Sequence, residues 1–600
     1  MKMQLSEYVI DCLIKENVKY VFMVSGGGGM FLINALGHRK EINYICNHHE
    51  QASAMAAEGY QRVTETIGAA LVTTGPAATN AITGVVCAWM DSIPYIIISG
   101  QANSKFLIDD TGVRQRGVHE VNIVKMVQSV TKYAVTIRDE NEIRYHVEKA
   151  LYLAKNGRPG PVWLDIPLDI QSKNVDPVEL KGFNQNDEKQ NNPIINNEDV
   201  EKIINLINSC KRPIIIVGNG VRLSKATENL LLFIDKFKIP VVTTKNAMDL
   251  IYDNHPFLAG RMGTYGQRAG NFAVQNADLV ISLGSRLAFS VVGYAVEKFA
   301  RDAKKIVIDI DANELKHLKI KADLTVQANL SDFITILMKK LESNYSNHFD
   351  KWIEKCQHWR KIFPVVTADM KKDGPYINSY YFYEVLSEEL DNDAIVITDQ
   401  GATFYSATVA FKLKKGQRLF TNGGFSPMGY GLPSSIGACC GNNRKPVVSV
   451  NGDGGLQMNI QELQTISHNK LPIKIFVMNN QGYLSIKHTQ TAYFDGFLVG
   501  SDPNSGVSCP DLKKIAFSYD IPYLKMEKHS QMRDIIHHAF KIDGPCIIEI
   551  ILDPMQPFEP RVSSIKKADG SLVSKPLEDM FPFLDRDLFN KEMIIKPLDD

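Results

Sequence analysis

Along the 600-residue chain, short apolar runs rich in β-branched residues alternate with longer stretches whose apolar residues return every three or four positions. The runs are strand-sized and the stretches have helical period, so the pattern predicts parallel sheets with helices on both faces. It comes in three blocks. Residues 1–172 carry predicted strands at "YVFMV" (20–24), "AALVTT" (69–74), "YIIIS" (95–99) and "VWLDI" (162–166). Residues 196–345 carry "PIIIVGNG", "IPVVTTK", "ADLVISLGSR" and "KIVIDIDANE", and residues 375–555 carry "AIVITDQG", "PVVSVNGDGG", "PIKIFVMNN" and "CIIEIIL". Residues 172–199, rich in Asn, Asp, Gln and Lys, read as a solvated linker, 341–374 as a mostly helical connector, and 556–600 as a tail packed over the body. The expected fold class is therefore α/β, with three doubly wound parallel-sheet domains, although length alone suggests about four.

Charge and cysteine usage narrow the setting. Lys+Arg and Asp+Glu are both 67, which leaves no global field to recruit nucleic acid or an acidic membrane. The amino-terminal stretch has no continuous apolar core, and the longest apolar runs fall far short of the ~20 residues a membrane span needs. The nine cysteines form no CxxC pair, and the adjacent Cys439 and Cys440 are poor disulfide partners, so a reducing compartment is expected and the protein reads as cytoplasmic.

The third block holds the sharpest chemical signal. In "VVSVNGDGGLQMNIQEL" (447–463) an apolar strand ends at Val450, and Gly452, Gly454 and Gly455 surround Asp453 before helical spacing resumes over 456–466. Such an acid can cap the helix, bind a ribose hydroxyl, or hold a hard cation beside a phosphate. The next strand, "LPIKIFVMNNQGY" (471–483), also ends in oxygen-bearing side chains, Asn479 and Asn480, followed by Gly482. Adjacent parallel strands put these ends side by side, so Asp453, Asn480 and a main-chain oxygen near Gly482 can together ligate Mg²⁺. Glycines at 452, 454 and 455 then let a diphosphate approach the backbone.

GDG, 24 further residues and NN resembles the diphosphate motif of thiamine diphosphate (ThDP) enzymes. The resemblance implies cofactor contacts at Gly452, Asp453, Gly454, Gly455, Asn480, Gly482 and Tyr483, with the metal on Asp453, Asn480 and Gly482. "TDQGATF" (398–404) is similar to the family's other diphosphate loop, through Gly401 and Thr403. In "GGFSPMGYGLPSSIGA" (423–438) Met428 matches the side chain that wedges between the cofactor rings; ordinary core packing is the alternative. "YICNHHEQASAMAAEGYQR" (44–62) is similar to the segment that supplies the activating carboxyl group, here Glu50 at a strand-to-helix turn, against a structural pairing with His48 or His49. "TTGPAATNAITGVVCAWMDSIPYIIISGQ" (73–101) resembles the acetolactate synthase group, with Pro76 and Asn80 beside the pyrimidine, and "FMVSGGGGMF" (22–31) its glycine turn at Gly26 and Gly27. The resemblance covers nearly the whole chain. It implies pyrimidine-binding, central and diphosphate-binding domains in that order, and a homodimer, or a tetramer, with active sites at the subunit interface.

Departures from the group's pattern leave several readings open. Val118 and His119 in "GVRQRGVHEVNIVKM" stand where acetolactate synthases carry Phe-Gln; Val enlarges the cavity, and His119 is either catalytic or substrate-orienting, or a plain wall residue. "NNQGYLSIKHTQTAYFDG" (479–496) and "KPLEDMFPFL" (575–584) resemble ThDP carboligase-like proteins of sugar and surface-polysaccharide pathways. In the central domain Arg286, Asp309 and Asp311 fit an FAD site, yet Ala288-Phe289-Ser290 replace its polar run, so FAD and a nucleotide fold that only packs the dimer both stand. The expected activity is ThDP- and Mg²⁺-dependent decarboxylation of a 2-keto acid, pyruvate first, with transfer of the two-carbon unit to an acceptor carbonyl. A second pyruvate would give acetolactate, and a keto-sugar a branched-chain sugar. A degenerate homologue would lack Glu50, Asp453 or Asn480, and a nicotinamide oxidoreductase would need a G-x-G-x-x-G fingerprint that the chain does not show convincingly.

Overall fold

A computed structural model describes residues 2–188, 193–342, 345, 348–566 and 572–598. The first sheet is built from β1 (Tyr20–Met23), β2 (Asn43–Cys46), β3 (Gly68–Val72), β4 (Tyr95–Gln101), β5 (Tyr133–Thr136) and β6 (Pro161–Pro167). The central sheet comprises β7 (Pro213–Val217), β8 (Val241–Thr243), β9 (Leu258–Arg261), β10 (Leu279–Leu283), β11 (Lys304–Asp309) and β12 (Leu324–Gln327). The third contains β13 (Ile395–Thr398), β14 (Arg418–Phe420), β15 (Val447–Gly452), β16 (Ile473–Asn479), β17 (Tyr523–Met526) and β18 (Cys546–Ile551). All strand pairs within these sheets are parallel. Their inner strands, such as "YIIISGQ" and "PIIIV", are buried along their whole length, which is why they read as continuous apolar runs.

Two topologies are present. The first sheet runs β2-β1-β3-β4-β6-β5 and the third β14-β13-β15-β16-β18-β17, the same order position for position. The central sheet instead runs β9-β8-β7-β10-β11-β12, the order of a dinucleotide-binding fold. In each sheet the order reverses beside its first strand, and loops leaving the strand ends there form a natural ligand crevice.

The first and third domains meet through equivalent helices, Glu50–Thr64 and Gly431–Gly441, each following the second strand of its sheet. Their sequences are rich in Ala, Gly and Ser, and the backbones touch. A Cβ on Gly59 would lie 2.1 Å from the Ser434 carbonyl oxygen, and one on Gly437 would lie 1.7 Å from that of Ala56. Beside this contact Glu58 is buried; it accepts from Arg62 Nε (2.9 Å), Tyr430 OH (3.0 Å) and Asn422 Nδ2 (3.1 Å).

The segment expected as a solvated linker begins on the first domain. Asn174–Val175 pairs antiparallel with Met3–Gln4, Arg144 Nη1 donates to the carbonyls of Pro177 and Leu180, and Phe183 packs against Tyr145 and Tyr152. The Phe183 amide also donates to Glu148 (2.8 Å) and Glu188 pairs with Lys149, so the polar stretch is held along much of its length; residues 189–192 of it lie outside the described set. The connector contains the helix Asp350–Ile362, and its residues 343–344 and 346–347 are likewise outside. The tail, apart from 567–571 and 599–600, starts on the third domain, where Phe558 packs on Tyr405 and the Glu559 amide donates to Tyr380 OH (2.9 Å), and continues over the central domain and the connector helix. Glu578 accepts from Arg301 and Gln275, and Glu592 from Lys355 and Trp359. Among the described residues no helix is long and apolar enough to cross a membrane.

Candidate cofactor site

At the end of β15 the chain turns at Gly452 into a short helix, Asp453–Met458, and a second helix begins only at Glu462. The single helix expected over 456–466 is thus broken in two. Asn459 turns its side chain to the Gly429 carbonyl (2.7 Å), and Glu462 accepts from Asn47 Nδ2 (2.8 Å) and the His48 amide (3.0 Å) in the first domain. Through the break the backbone amides pair three residues back (Glu462 to the Asn459 carbonyl, 3.0 Å; Leu463 to that of Ile460, 3.1 Å), while these side-chain bonds tie the segment to its neighbours.

Asp453 is 2% exposed. Its Oδ1 accepts from the Gly454 amide (2.8 Å) and its Oδ2 from that of Gly482 (3.0 Å), and burial pushes its carboxyl up from the ordinary range. On the neighbouring strand end Asn480 Oδ1 is buried without a hydrogen-bond partner, while Lys487 Nζ donates to the Asn480 carbonyl (2.9 Å). A buried carboxylate beside an orphaned amide oxygen is a donor set that suits a hard cation. No group of three His, Cys, Asp or Glu suited to a metal occurs among the described residues, so a cation here would depend on these oxygens together with phosphate and water.

The glycines serve the protein itself as well as any ligand. A Cβ on Gly454 would lie 2.4 Å from Tyr483 Cε1, and one on Gly455 would lie 2.2 Å from Asp399 Oδ2. Room for those side chains is reason enough for glycine at 454 and 455. At Gly452 the nearest atom is 3.9 Å away, and there the backbone is open. Asp399 was not foreseen. It is buried at the end of β13 and gathers the amides of Gln400 (2.8 Å), Gly429 (3.1 Å) and Tyr430 (3.3 Å), joining the two loops that carry Gly401 and Met428. Burial raises its carboxyl to about 6. Its only sequence signal was its position, an acid at a strand end like Asp453.

These loops wall a cavity of about 450 Å³ lined by Gly401, Thr403, Met428, the 452–455 turn, Asn480, Gly482 and Tyr483. Met428 is 37% exposed on this wall rather than in the core. The Thr403 hydroxyl donates to the Gln400 carbonyl (2.9 Å), so it shapes the loop. Tyr265, stacked on Tyr405 with centroids 4.2 Å apart, and Lys245 complete the wall from elements that sequence reading did not connect with it.

The first-domain residues form a separate group. Asn80 Nδ2 donates to Glu50 Oε2 (2.9 Å). His49 Nδ1 accepts from the Gln51 amide (3.1 Å), capping the helix, and among the described residues neither His48 nor His49 forms an ion pair with Glu50. Gly26 and Gly28 lie against Thr73 at the end of β3, where Cβ atoms would clash at 2.6 and 2.8 Å, whereas Gly27 is open. Gly75 (φ +60°) supports the His119 carbonyl, 1.9 Å from where a Cβ would stand, and His119 itself is left-handed (φ +59°). Pro76, Asn80 and His119 are exposed. Val118, expected to widen a pocket, is 77% exposed and lines none of the chain's principal cavities. None of this group reaches the third-domain cavity.

A further cavity, about 480 Å³, opens where the central sheet reverses order. Arg286, Ala288, Ser290 and Asp309 line it, and burial raises Asp309 to about 6. Asp311, named with Asp309 from the sequence, is engaged elsewhere: it caps the Asn313 amide (2.8 Å) and pairs with Arg158 (3.0 Å).

Comparison with known proteins decides the family. The N-terminal TPP binding domain of thiamine pyrophosphate enzymes matches residues 3–126, their central domain 200–337 and their C-terminal TPP binding domain 399–550. The acetolactate synthase large subunit of Cyanidium caldarium is 32% identical over 91% of this chain and 92% of its own length. The probable acetolactate synthase large subunit of Methanocaldococcus jannaschii is 31% identical over 92% of each. Acetolactate synthase 2, chloroplastic, of Nicotiana tabacum is 30% identical over 93% of this chain and 83% of its own. The chain belongs to the thiamine pyrophosphate enzyme family. As a ThDP enzyme of the carboligase type, it carries Gly401, Thr403, Met428, Asp453 and Asn480 within the C-terminal TPP binding domain, Lys245 and Tyr265 of the same cavity wall within the central domain, and Glu50, Pro76, Asn80 and His119 within the N-terminal one.

Proposed function

We propose that this ThDP enzyme decarboxylates a 2-keto acid, pyruvate first, and joins the two-carbon unit to an acceptor carbonyl. Its similarity to acetolactate synthases along almost the whole chain supports a second pyruvate as acceptor. The observation that carries the reading is the buried Asp453 carboxylate beside the unpartnered Asn480 Oδ1 on the cavity wall. Asp453, Asn480 and the main-chain oxygen of Gly482 would hold Mg²⁺, with the cofactor's diphosphate beside the open backbone at Gly452. When bound, ThDP supplies the electron sink for breaking and forming carbon–carbon bonds. Asn80 fixes Glu50 Oε2, which leaves Oε1 to exchange a proton with the pyrimidine ring. His119, exposed beside Gly75, is read as a substrate-orienting residue.

The minimal unit on this reading is a homodimer. Glu50, Asn80 and His119 lie on the protomer's surface while Asp453 and Asn480 lie in a cavity apart from them, and a second copy would bring the two groups together. A keto-sugar is the second acceptor class, supported by the Tyr265–Tyr405 stack, a flat aromatic surface of the kind that sugar rings pack against. The central cavity at the sheet's reversal supports FAD as a bound nucleotide, and flavin absorption by the purified protein tests it. Nine unpaired cysteines support a reducing compartment such as the cytoplasm.

The deciding experiment gives purified protein ThDP, Mg²⁺ and pyruvate and identifies the products. Pyruvate loss with acetolactate appearing is expected. CO₂ release that requires an added keto-sugar would select the second acceptor class. No CO₂ release from pyruvate or other short 2-keto acids would overturn the proposal.

A further inference from the structure

The first and third domains also touch at the start of the helix Glu50–Thr64. Glu462 opens the helix Glu462–His468, beyond the break at Asn459. Its side chain is fully buried. Oε2 accepts from Asn47 Nδ2 (2.8 Å) and Thr465 Oγ1 (2.7 Å), and Oε1 accepts from the His48 amide (3.0 Å). Asn47 is buried as well. Its amide donates to the Met23 carbonyl (2.9 Å) at the end of β1, and its Oδ1 accepts from Ser53 Oγ (3.2 Å) in the first turn of the helix. The chain Glu462–Asn47–Ser53 thus clamps the turn 47–49 from both sides, and Glu50 is the first residue after it.

All the groups that Glu462 binds are neutral. A carboxylate buried among neutral donors carries a desolvation cost that an amide or an apolar side chain would avoid. Adhesion of the two domains does not call for it, because the contact at Gly59 and Gly437 and the bonds from Arg62, Tyr430 and Asn422 to Glu58 already join them further along the same helix. A carboxylate offers two acceptor oxygens in one plane and no donor. One oxygen takes a main-chain amide and the other a side-chain amide, so the path of the turn and the Asn47 side chain that braces it are fixed together. Its charge also suits the positive end of the helix it touches. Glu50 has little else to place it. Among the described residues its half-buried carboxyl group is held by Asn80 alone.

We infer that Glu462 is a positioning residue for Glu50. Through Asn47 and the His48 amide it fixes where the helix starts, and so where the Glu50 carboxyl group stands for its exchange of a proton with the pyrimidine ring. This rests on the proton role of Glu50 proposed above. The anchor comes from the third domain, on the segment that begins at Asp453, so the metal turn and the activating acid of one chain are braced at a single point.

The test loads the full-length protein with ThDP and Mg²⁺ and follows exchange of the cofactor's thiazolium C2 proton for deuterium, with ThDP affinity and melting temperature measured in parallel. Exchange needs no substrate and reports the acid–base step that Glu50 serves. Glu462→Gln is expected to slow it about tenfold while ThDP affinity stays within about twofold of wild type. Asn47→Asp sets carboxylate against carboxylate and should slow it about 100-fold. The pair Asn47→Asp with Glu462→Gln swaps donor and acceptor across the same contact and should bring exchange back to within about threefold of wild type. A contact that only joins the domains would lower the melting temperature and leave exchange well below that temperature unchanged, and this result overturns the inference. So does a pair that exchanges no faster than Glu462→Gln alone, a comparison that holds even where Asn47→Asp by itself does not fold. Glu50→Gln is measured beside them. Wild-type exchange in that variant would remove the proton role and this inference with it, whereas slow exchange there with wild-type exchange in Glu462→Gln would overturn the inference alone.

Discussion

Asn80 holds one oxygen of Glu50 and leaves the other unengaged, a geometry that orients a carboxyl group without consuming it. Glu50→Gln should therefore keep the fold and ThDP affinity while lowering turnover by roughly 100-fold or more; turnover at the wild-type rate would refute the proton role. Asp453→Ala should weaken Mg²⁺-dependent ThDP binding, measured by titration with and without the metal, and unchanged affinity would dismiss the metal site. Asp165, buried on β6 within the first sheet, accepts from Ser99 Oγ (2.6 Å), Thr136 Oγ1 (3.0 Å) and Gln101 Nε2 (3.1 Å), yet burial raises it from 3.8 to about 6. The folded protein thus holds this proton more tightly than the unfolded chain. The resulting stabilisation is full below pH about 4 and is lost as pH rises through about 6. Asp165→Asn cannot ionise, so its stability relative to wild type should improve across that window by at most about 3 kcal/mol; a flat difference in denaturant titrations would contradict the shift. Glu50, Asp453 and Asn480 were legible because each lies in a short segment whose spacing is itself the signal. Asp399 and Lys245 were not, because what makes them matter is contact with loops far away in sequence.

The four strands read from each block are the four inner strands of its sheet. Of the six edge strands only β2 was implied, by the turn before Glu50. Inner strands are apolar on both faces and announce themselves as runs, whereas edges are three or four residues long and often half exposed: β2 buries one residue of its four, and β5 none fully. The broken helix after Asp453 failed for the opposite reason. Its apolar spacing was genuine, but Asn459 is tied to the Gly429 loop of its own domain and Glu462 to Asn47 across the domain boundary. The crossing of Glu50–Thr64 with Gly431–Gly441 was hidden in residues that look merely small. Gly437→Ala should cost at least about 1–3 kcal/mol and lower the melting temperature. Gly27→Ala, where a Cβ meets nothing within 4 Å, should leave the fold intact. Equal melting temperatures for the two variants would show that the helices can part without penalty.

At the scale of the molecule, three sheets of two topologies divide the work, with loops at the order reversals of the first and third domains carrying the expected cofactor residues. If the active site joins the first domain of one chain to the third domain of another, Glu50→Gln and Asp453→Ala subunits should complement each other. A mixed dimer would contain one site free of both substitutions, and activity should reappear when the two inactive proteins are dissociated and reassembled together. No recovery in verified mixed dimers would place each site within one chain. The joint between the two domains of a single chain has a different consequence, for recombination. Hybrid chains that take the first domain from one relative and the third from another will be accepted or rejected at positions 56, 59, 434 and 437, where backbone rests on backbone. A change in side-chain size there has no slack to absorb it, so the interchangeability of these parts is governed by four small residues rather than by the chemistry that the parts perform.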